Sequence, residues 1–349
     1  MYNLCNVLKL ILYTLTNVDF IINLRLVKEN ESMKANNKEQ KKLGGKVINP
    51  RKKGGFRLFL LTSPFLIGTF IFAYMPLLGW IFGFYNYKPG VAFEKLDFVG
   101  LKWFLMPFKN PVLREQFLRV MKNTLGINFL YMLTMILPMF FAILLMEIRS
   151  KKYRKLIQTL TTLPNFISWV LVYSAFFALL STEGLVNTLL KNFGFIENSI
   201  NYLADTSHMW IKMLGYHLWK GLGWGAIVYI SAITSIDSEI YEAADIDGAG
   251  RFARIKHITI PHLIPTFFVL FILQIGNIIN NGIDQYMVFS NAMTKDSIEV
   301  LDLYVYNTGL KLGDISYATA IGMWKSVISL VLVFSANKLS KKVRGSSIF

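Results

Sequence analysis

Cysteine and histidine are scarce in this sequence. Its 349 residues include one cysteine, Cys5, so no disulfide can form within the chain. Nothing resembles the Cys/His spacing of a zinc site. The four histidines, His208, His217, His257 and His262, are scattered and form no His-Glu-x-x-His pair. Redox chemistry, zinc chemistry and an intramembrane transferase are therefore disfavoured.

A phosphate-binding loop is also absent. The one Gly-Lys pair, Gly45-Lys46, is followed by Val47 and lacks the upstream glycine of the Gly-x-x-x-x-Gly-Lys-Ser/Thr pattern. Any ATP must therefore be bound elsewhere. No small-residue cleavage site follows the early apolar stretch, which argues against a secretory signal.

Charged residues make up only 17% of the chain, whereas hydrophobic residues make up 54% and aromatic residues 15%. A water-soluble domain rarely has this balance, so the bilayer is the expected solvent. A helix needs about 20 apolar residues to cross the hydrocarbon core. Six stretches approach or exceed that length: residues 58–84, 124–146, 157–180, 210–236, 263–282 and 318–334. The predicted fold is all-α and polytopic, with six membrane-spanning helices.

The formal net charge of +16 could favour nucleic acid, but the basic residues lie in short runs beside the apolar stretches. Such runs fix the orientation of membrane proteins. The connections on the side of the two termini carry 20 Lys and Arg residues, and those on the other side carry 10. We therefore expect lipid rather than nucleic acid around the chain, and both termini in the cytoplasm.

Composition divides the chain along its length. Residues 1–32 are apolar but interrupted by charges; they form an additional helix, an interfacial helix or an over-long start, with Met33 as the alternative first residue. Residues 33–57 are rich in lysine, as expected of a cytoplasmic leader beside the membrane. The predicted membrane domain covers residues 58–337, and residues 338–349 form a cytoplasmic tail.

The most informative connection is the loop of residues 238–261, between the fourth and fifth predicted spans. Ser238 can cap a short helix over residues 239–246, and Gly248 permits a sharp turn. A second helix is predicted to begin near Arg251. The loop should therefore project as a helix-turn-helix.

The side chains of this loop suit contact with another protein. Ala243 and Ala244 are small enough to let a partner approach closely. Glu242, Arg251 and Arg254 offer charges for docking. An ordinary amphipathic connector on the membrane surface is the alternative.

From Glu242 the loop reads Glu-Ala-Ala, three residues, Gly, nine residues and Ile-x-x-Pro. This EAA motif resembles the signature loop of permease subunits of binding-protein-dependent ATP-binding-cassette (ABC) importers, with Ile260 where leucine is usual. The resemblance covers residues 56–349 and is closest to the carbohydrate branch, in particular the LplB-like group of oligosaccharide and polysaccharide permeases. Further stretches that carry it are residues 98–104, 219–224, 276–285, 316–322 and 345–347.

In that family the loop's helix inserts into a cleft of an ATPase subunit and transmits its closure. The resemblance therefore assigns ATPase docking to Glu242, Ala243, Ala244 and Gly248, to which we add the charge of Arg251. It also implies a second homologous permease, ATPase subunits that bind ATP and Mg, an extracellular solute-binding protein and an oligosaccharide substrate. The chain, in a bacterial cell membrane, is expected to hold no cofactor or metal and to catalyse no reaction.

Four polar residues of the fifth predicted span indicate a path for the cargo. Gln274, Asn277, Asn281 and Asp284 are spaced by three, four and three residues, which predicts one helical face. A polar stripe in the membrane either lines a hydrated path or joins helices through hydrogen bonds. Amide and carboxylate groups suit sugar hydroxyls, so the stripe is a candidate substrate path.

Tryptophans supply a second set of candidates for that path, because aromatic rings suit the apolar faces of sugars. Trp219 and Trp224 lie in the fourth predicted span, and Trp324 lies in the sixth. Packing against lipid or other helices is the alternative for each.

Two lysines, Lys220 and Lys325, lie well inside predicted spans, where charges are usually paired or face water. The sequence assigns no partner to Lys220. For Lys325, either Asp284 or a carboxylate of a companion subunit is a candidate.

Two other transport functions remain open. An ion-coupled secondary transporter often has inverted repeats and mid-membrane carboxylates, but no repeat is visible here and the spans offer only Asp284. Within the importer interpretation, amino acids or other small solutes are the alternative cargo.

Overall fold

The computed structural model describes the backbone of residues 51–344. The predicted N-terminal segment, most of the basic leader and the last five residues of the tail lie outside the described residues. The chain divides into two compact units, Met1–Phe82 and Gly83–Phe349.

The described part of the first unit is one continuous helical run. It begins with α1 (Arg51–Thr69), continues as a π-helix (Phe70–Tyr74) and then passes into a 3-10 helix (Met75–Phe84) that reaches the second unit. Most of its apolar side chains are exposed. This run matches the first predicted span, and its apolar surface suits contact with lipid.

The second unit is helical throughout its described residues, apart from connections and an isolated antiparallel bridge between Tyr85 and Phe98. Its first helices are α2 (Lys102–Lys109), α3 (Pro111–Thr134), α4 (Ile136–Met146), α5 (Lys151–Thr162), α6 (Trp169–Leu180), α7 (Leu185–Asn192) and α8 (Met209–Thr234). The later helices are α9 (Ser238–Ile246), α10 (Arg251–Arg254), α11 (Ile260–Gly276), α12 (Asp284–Phe289), α13 (Lys295–Ile298), α14 (Leu301–Tyr306) and α15 (Ile315–Arg344). The Tyr85–Phe98 bridge lies in the connection before α2.

Five helical runs of the described residues are long and apolar enough to cross a membrane: Phe59–Phe84, Pro111–Met146, Trp169–Asn192, Arg251–Gly276 and Ile315–Ser335. The fourth predicted span, α8, is 26 residues long but is not among them. Lys212, His217 and Lys220 lower its hydropathy. Length therefore allows α8 to cross the membrane, while its polar side chains need partners within the protein.

The third predicted span is wrong in its boundaries, because its helix breaks in the middle. Helix α5 ends at Thr162, a 3-10 turn covers Leu163–Phe166, and α6 begins at Trp169. Pro164 lacks a backbone N–H and disfavours the helical conformation of the residue before it, which accounts for the break. Ser168 then caps α6 by accepting a hydrogen bond from the Leu171 amide.

Helix α8 packs at the centre of the second unit. Its first half lies in a hydrophobic cluster with residues of α3 and α12, and its second half lies in another cluster with residues of α4 and α11. A third cluster joins α3, α14 and α15. At Gly223 of α8, a Cβ would lie 2.3 Å from the carbonyl oxygen of Thr161, so the close approach of α8 to α5 requires glycine.

Candidate functional site

The loop of residues 238–261, named here the coupling loop, folds as the predicted helix-turn-helix. Helix α9 is followed by Gly248, with φ at 73°, and α10 begins at Arg251. The amides of Gly248 and Ala249 donate to the carbonyl oxygens of Asp245 and Ala244, at 3.1 and 2.8 Å. A glycine in the left-handed region with such bonds is a common way to end a helix.

The predicted cap of α9 is wrong by one residue. The side chain of Asp237, not Ser238, accepts the Glu239 amide at 3.0 Å, and Ser238 is the first helical residue. Aspartate also interacts favourably with the positive end of the helix dipole. Sequence preference alone cannot separate two adjacent residues that both cap helices well.

The predicted docking residues lie together on an open projection. Glu242, Ala243 and Gly248 are exposed, and Ala244 is half-buried. A Cβ at Gly248 would meet no atom within 4 Å, so its positive φ, not crowding, is the constraint. The arrangement leaves this face of the turn accessible to another protein.

Two apolar residues that the sequence prediction missed flank the same turn. Ile246 is 87% exposed and Phe252 is 85% exposed. Exposed apolar groups beside a polar projection are typical of protein-binding surfaces. Their position within two to four residues of Gly248 could have indicated that they flank the turn. The helical pattern alone, however, does not show which apolar side chains remain exposed to solvent.

The two arginines expected to dock a partner also have partners within the chain. Arg251 pairs with Glu147, the residue that follows α4, and its Nη2 also donates to the Glu147 carbonyl oxygen at 2.7 Å. Arg254 pairs with Asp245 inside the coupling loop. Because these partners lie far away or nine residues apart in the sequence, spacing could not predict them.

The predicted polar stripe of the fifth span does not lie on one helical face. Helix α11 ends at Gly276, residues 277–279 form a turn, and residues 280–283 are irregular. The Asn277 amide donates to the Gln274 carbonyl oxygen at 2.9 Å, and Gly282 has φ at 75°. Asp284 is exposed and begins the separate helix α12. We name residues 277–283 the membrane break.

Asn281 of the membrane break belongs to a polar network between helices. Its Oδ1 accepts from Asn128 Nδ2 at 2.7 Å, and the same Nδ2 donates to the Ile278 carbonyl oxygen at 2.7 Å. Nearby, the Tyr131 and Tyr286 hydroxyl groups lie 3.0 Å apart. For Asn281, these contacts favour the alternative in which polar groups join helices.

Both lysines inside predicted spans have partners within the chain. Lys220 Nζ donates to the carbonyl oxygens of Pro164, Asn165 and Ile167 at 3.1, 2.7 and 2.7 Å, and so satisfies the backbone of the break between α5 and α6. Lys325 pairs with Asp302 of α14. Asp284, one of the two candidates for Lys325, is therefore not its partner in the structure.

Asp302 links three elements at the membrane break. One carboxylate oxygen contacts Lys325, and the other accepts the Gly282 amide at 3.0 Å. The side chains of Asp302 and Lys325 are only 16% and 14% exposed. Asp302 lies 18 residues after Asp284, outside the predicted spans. It reaches Gly282 and Lys325 only because α14 folds back against the membrane break, which the sequence spacing does not show.

Comparison with known proteins identifies the family. Residues 135–345 match the family model of the binding-protein-dependent transport system inner membrane component. The chain belongs to this family. The permease is thus a transport protein rather than an enzyme, with an all-α fold, and its Glu-Ala-Ala motif is typical of the family.

Two curated relatives and a solved structure are similar over most of the permease. It is 36% identical to Protein LplB of Bacillus subtilis over 84% of this chain and 91% of the relative. It is 37% identical to the polygalacturonan/rhamnogalacturonan transport system permease protein YteP of Bacillus subtilis, over 84% and 90%. The solved structure is a bacterial alginate ABC transporter in complex with an alginate pentasaccharide-bound periplasmic protein. One of its chains is 32% identical to the permease, with a TM-score of 0.73, and the match covers 84% of the permease and 96% of that chain.

The three predicted tryptophans have different environments in the permease. Trp324 is held in the protein, because its Nε1 donates to the Phe104 carbonyl oxygen at 3.2 Å and its ring meets Phe108 edge-on. Trp219 and Trp224 are 47% and 49% exposed. Packing therefore accounts for Trp324, while Trp219 and Trp224 keep open faces.

A carboxylate cluster outside the predicted site joins α3 to α13. Arg119 pairs with Asp296 at 2.9 Å and approaches the buried Glu299 at 3.8 Å, and Glu299 accepts from Asn307 Nδ2 at 3.0 Å. These contacts fix α13 and the residues after it against α3. The pairing of distant charges gave no signal in the sequence.

The connection before α8 is fastened by another ion pair. Lys212 Nζ donates to the Asp205 carboxylate at 2.8 Å and to the Asp205 carbonyl oxygen at 2.7 Å. These bonds from Lys212, together with those from Ser207, hold the pKa of the Asp205 carboxyl well below its ordinary value. Asp205 therefore stays ionised throughout the neutral range.

Proposed function

We propose that the permease forms half of the translocation path for an oligosaccharide, in a bacterial importer driven by ATP. An extracellular solute-binding protein delivers the cargo, and a second homologous permease completes the path. The coupling loop docks one ATPase subunit through Glu242, Ala243, Ala244 and Gly248. ATP and Mg are bound by that ATPase, and the permease holds no cofactor.

The observation that carries this proposal is the exposed Glu242–Gly248 turn. It combines the family's motif spacing with a glycine in the left-handed region and an uncovered face. A short helix that ends in such a turn is a rigid projection, because its backbone groups are satisfied locally. A rigid projection can transmit the displacement of a partner into the helices on either side.

The membrane orientation follows from the charge distribution. The coupling loop lies on the side of the chain that carries 20 of the Lys and Arg residues in the connections, against 10 on the other side. By the positive-inside rule, this difference supports a cytoplasmic position for that side and for both termini. An ATPase that binds cytoplasmic ATP can then reach the loop.

The similar proteins support an oligosaccharide as the cargo. One is named for polygalacturonan and rhamnogalacturonan transport, and a second solved relative is described as an importer of the acidic polysaccharide alginate. Fragments of acidic polysaccharides are therefore the first compounds to test. Trp219 and Trp224 are the path candidates that their exposure favours, while Gln274 and Asp284 remain predictions.

The test is binding-protein-stimulated ATP hydrolysis by the purified complex in proteoliposomes. We expect Gly248→Pro to abolish stimulation, because proline cannot adopt a φ of 73° and lacks the amide that bonds Asp245. Glu242→Lys should also uncouple the complex. Gly250→Ala is the matched control, since Gly250 has φ at −65° and open space around it.

Uptake of labelled oligogalacturonate and alginate oligosaccharides, with an amino acid as comparison, tests the cargo. Uptake of the amino acid alone would contradict the oligosaccharide proposal. Full stimulation in both Gly248→Pro and Glu242→Lys would contradict the docking role of the turn.

A further inference from the structure

Arg251 connects the coupling loop to a different part of the permease. It is the first residue of α10, directly after the turn. Its Nε contacts the Glu147 carboxylate, and its Nη2 donates to the Glu147 carbonyl oxygen at 2.7 Å. One guanidinium group therefore holds both the side chain and the backbone of Glu147.

Glu147 is the residue at which the second span ends. Its amide donates to the Ile143 carbonyl oxygen, as the C-cap of α4. The last carbonyl groups of a helix lack partners within the helix and carry partial negative charge. Arg251 thus supplies a cation and a donor where α4 needs both, so the contact fits the end of α4 specifically.

The other polar contacts of the coupling loop stay within the loop and the helix that it precedes. Arg254 pairs with Asp245, and the Tyr241 hydroxyl lies 2.9 Å from Thr259 Oγ1. Among the hydrogen bonds and ion pairs of residues 51–344, those of Arg251 are the ones that lead from this loop to another connection. Among the described residues, hydrogen bonds and an ion pair therefore stabilise the loop internally, and Arg251 is its polar contact with another connection.

Apolar packing supports the same connection. Ile255 and Ile260, just after α10, pack against a cluster that includes Met139 and Ile143 of α4. Displacement of the coupling loop would therefore press on α4 through these side chains. The Arg251–Glu147 contact joins the end of α4 to α10, and so would oppose their separation when the displacement is in the opposite direction.

We propose that the Arg251–Glu147 pair is a positioning contact that transmits movement of the coupling loop to the second span. Arg251 acts through Glu147 and not through the ATPase. The proposal rests on the proposed function, since it needs an ATPase that moves the loop. A partly exposed ion pair contributes little to folding, so variants of either residue should still assemble.

The test compares Arg251→Glu, Glu147→Arg and the double variant in the complete transporter, reconstituted in proteoliposomes. Each preparation is assayed for ATPase subunits that co-purify with the permease and for binding-protein-stimulated ATP hydrolysis. We expect both single variants to retain the ATPase subunits and to lose about fivefold or more in stimulation, a typical size for coupling between sites. The double variant should recover at least half of the loss, because the pair re-forms with its charges exchanged.

Arg149→Glu is the matched control. Arg149 is exposed in the same connection as Glu147, and no ion pair involves it among the described residues. This variant should keep both the ATPase subunits and the stimulation, which separates the loss of the pair from a general change of charge.

The outcomes distinguish the two proposals. Full stimulation in both single variants, with a stimulated wild type, contradicts the positioning role alone. Loss of the ATPase subunits in Arg251→Glu, without recovery in the double variant, shows instead that Arg251 docks the ATPase directly. A wild-type complex without ATPase subunits or stimulation contradicts the proposed function itself, and the positioning role with it.

Discussion

The coupling loop and the membrane break both turn at a glycine, but their surroundings are opposite. Gly248 and Gly282 have φ at 73° and 75°, and a Cβ at either would meet no atom within 4 Å. Beside Gly248, the side chains of Ile246 and Phe252 are exposed. Beside Gly282, the Asp302 carboxylate accepts a hydrogen bond from the Gly282 amide and forms an ion pair with Lys325.

This difference shows that the conformation of a turn does not decide its role. In the coupling loop, the end of α9 satisfies the backbone locally, and side chains remain available to a partner. In the membrane break, groups from α3 and α14 satisfy the backbone. Buried backbone groups without partners are costly, and other elements of the protein supply the partners here.

Asp302→Ala is expected to have the largest effect, because it removes the bond from α14 to the Gly282 amide and the ion pair with Lys325. Lys325 would be left buried without its partner, which typically costs about 3–5 kcal/mol. The free energy of unfolding of the detergent-purified permease should fall by that order, and its melting temperature should fall with it. Thermal unfolding of the purified protein measures this.

Asp284→Ala is the matched control for Asp302→Ala, since Asp284 is exposed and carries no ion pair among the described residues. It should melt close to the wild type. The double variant Asp302→Ala/Lys325→Met should recover most of the lost stability, because no buried charge is left unpaired. Equal melting temperatures for Asp302→Ala and Asp284→Ala would show that the Asp302–Lys325 ion pair does not stabilise the membrane break.

Substituting alanine for each of the two glycines, Gly248 and Gly282, tests the comparison directly. The expected loss of stability is smaller than for Asp302→Ala. An alanine in the left-handed region costs about 1–2 kcal/mol. At Gly282 the strain cannot relax, because Asp302 holds the amide, so Gly282→Ala should lower the melting temperature. At Gly248 an alanine variant can relieve the strain by giving up the exposed turn that glycine keeps well formed, so Gly248→Ala should reduce stimulated ATP hydrolysis more than it reduces stability.

Gly250→Ala serves both experiments, because Gly250 has an ordinary φ and open space, and it should change neither measurement. A lower melting temperature in Gly248→Ala than in Gly282→Ala would contradict the idea that the membrane break contributes more to stability than the turn of the coupling loop.

The coupling loop could be predicted from the sequence because its determinants are local. The turn at Gly248 and the start of α10 depend on glycine and on residues within one helical turn, and both are confirmed. Among the described residues, five of the six predicted spans overlap helical runs long and apolar enough to cross a membrane. The fourth corresponds to α8, whose charged side chains keep it outside that set. The cap of α9 failed by one residue, because Asp237 and Ser238 compete for one role.

The membrane break could not be predicted, because its determinants are distant in the sequence. The spacing of Gln274, Asn277 and Asn281 fits a helix, yet α11 ends at Gly276. Asn128 and Asp302 stabilise the non-helical backbone from other elements. A pattern within one segment cannot show that another segment supplies the hydrogen bonds that a helix would otherwise make.

Ile246→Ser and Phe252→Ser should have the smallest effect on folding and a clear effect on assembly. Both side chains are more than 80% exposed, so each substitution should change the free energy of unfolding by no more than about 0.5 kcal/mol. An apolar side chain that becomes buried only in a complex stabilises that complex alone. We therefore expect fewer ATPase subunits to co-purify with either variant, at an unchanged melting temperature.

Leu312→Ser is the matched control for these two substitutions, because Leu312 is 79% exposed but lies before α15, outside the coupling loop. It should leave the ATPase subunits bound. If Leu312→Ser and Phe252→Ser retain them equally, the apolar surface beside Gly248 does not contact the ATPase, and docking must depend on Glu242 and the small residues of α9. If only Phe252→Ser loses the ATPase subunits, both the apolar side chains beside Gly248 and the Glu-Ala-Ala motif contribute to docking. The coupling loop would then differ from the membrane break in its apolar side chains as well as in its backbone contacts.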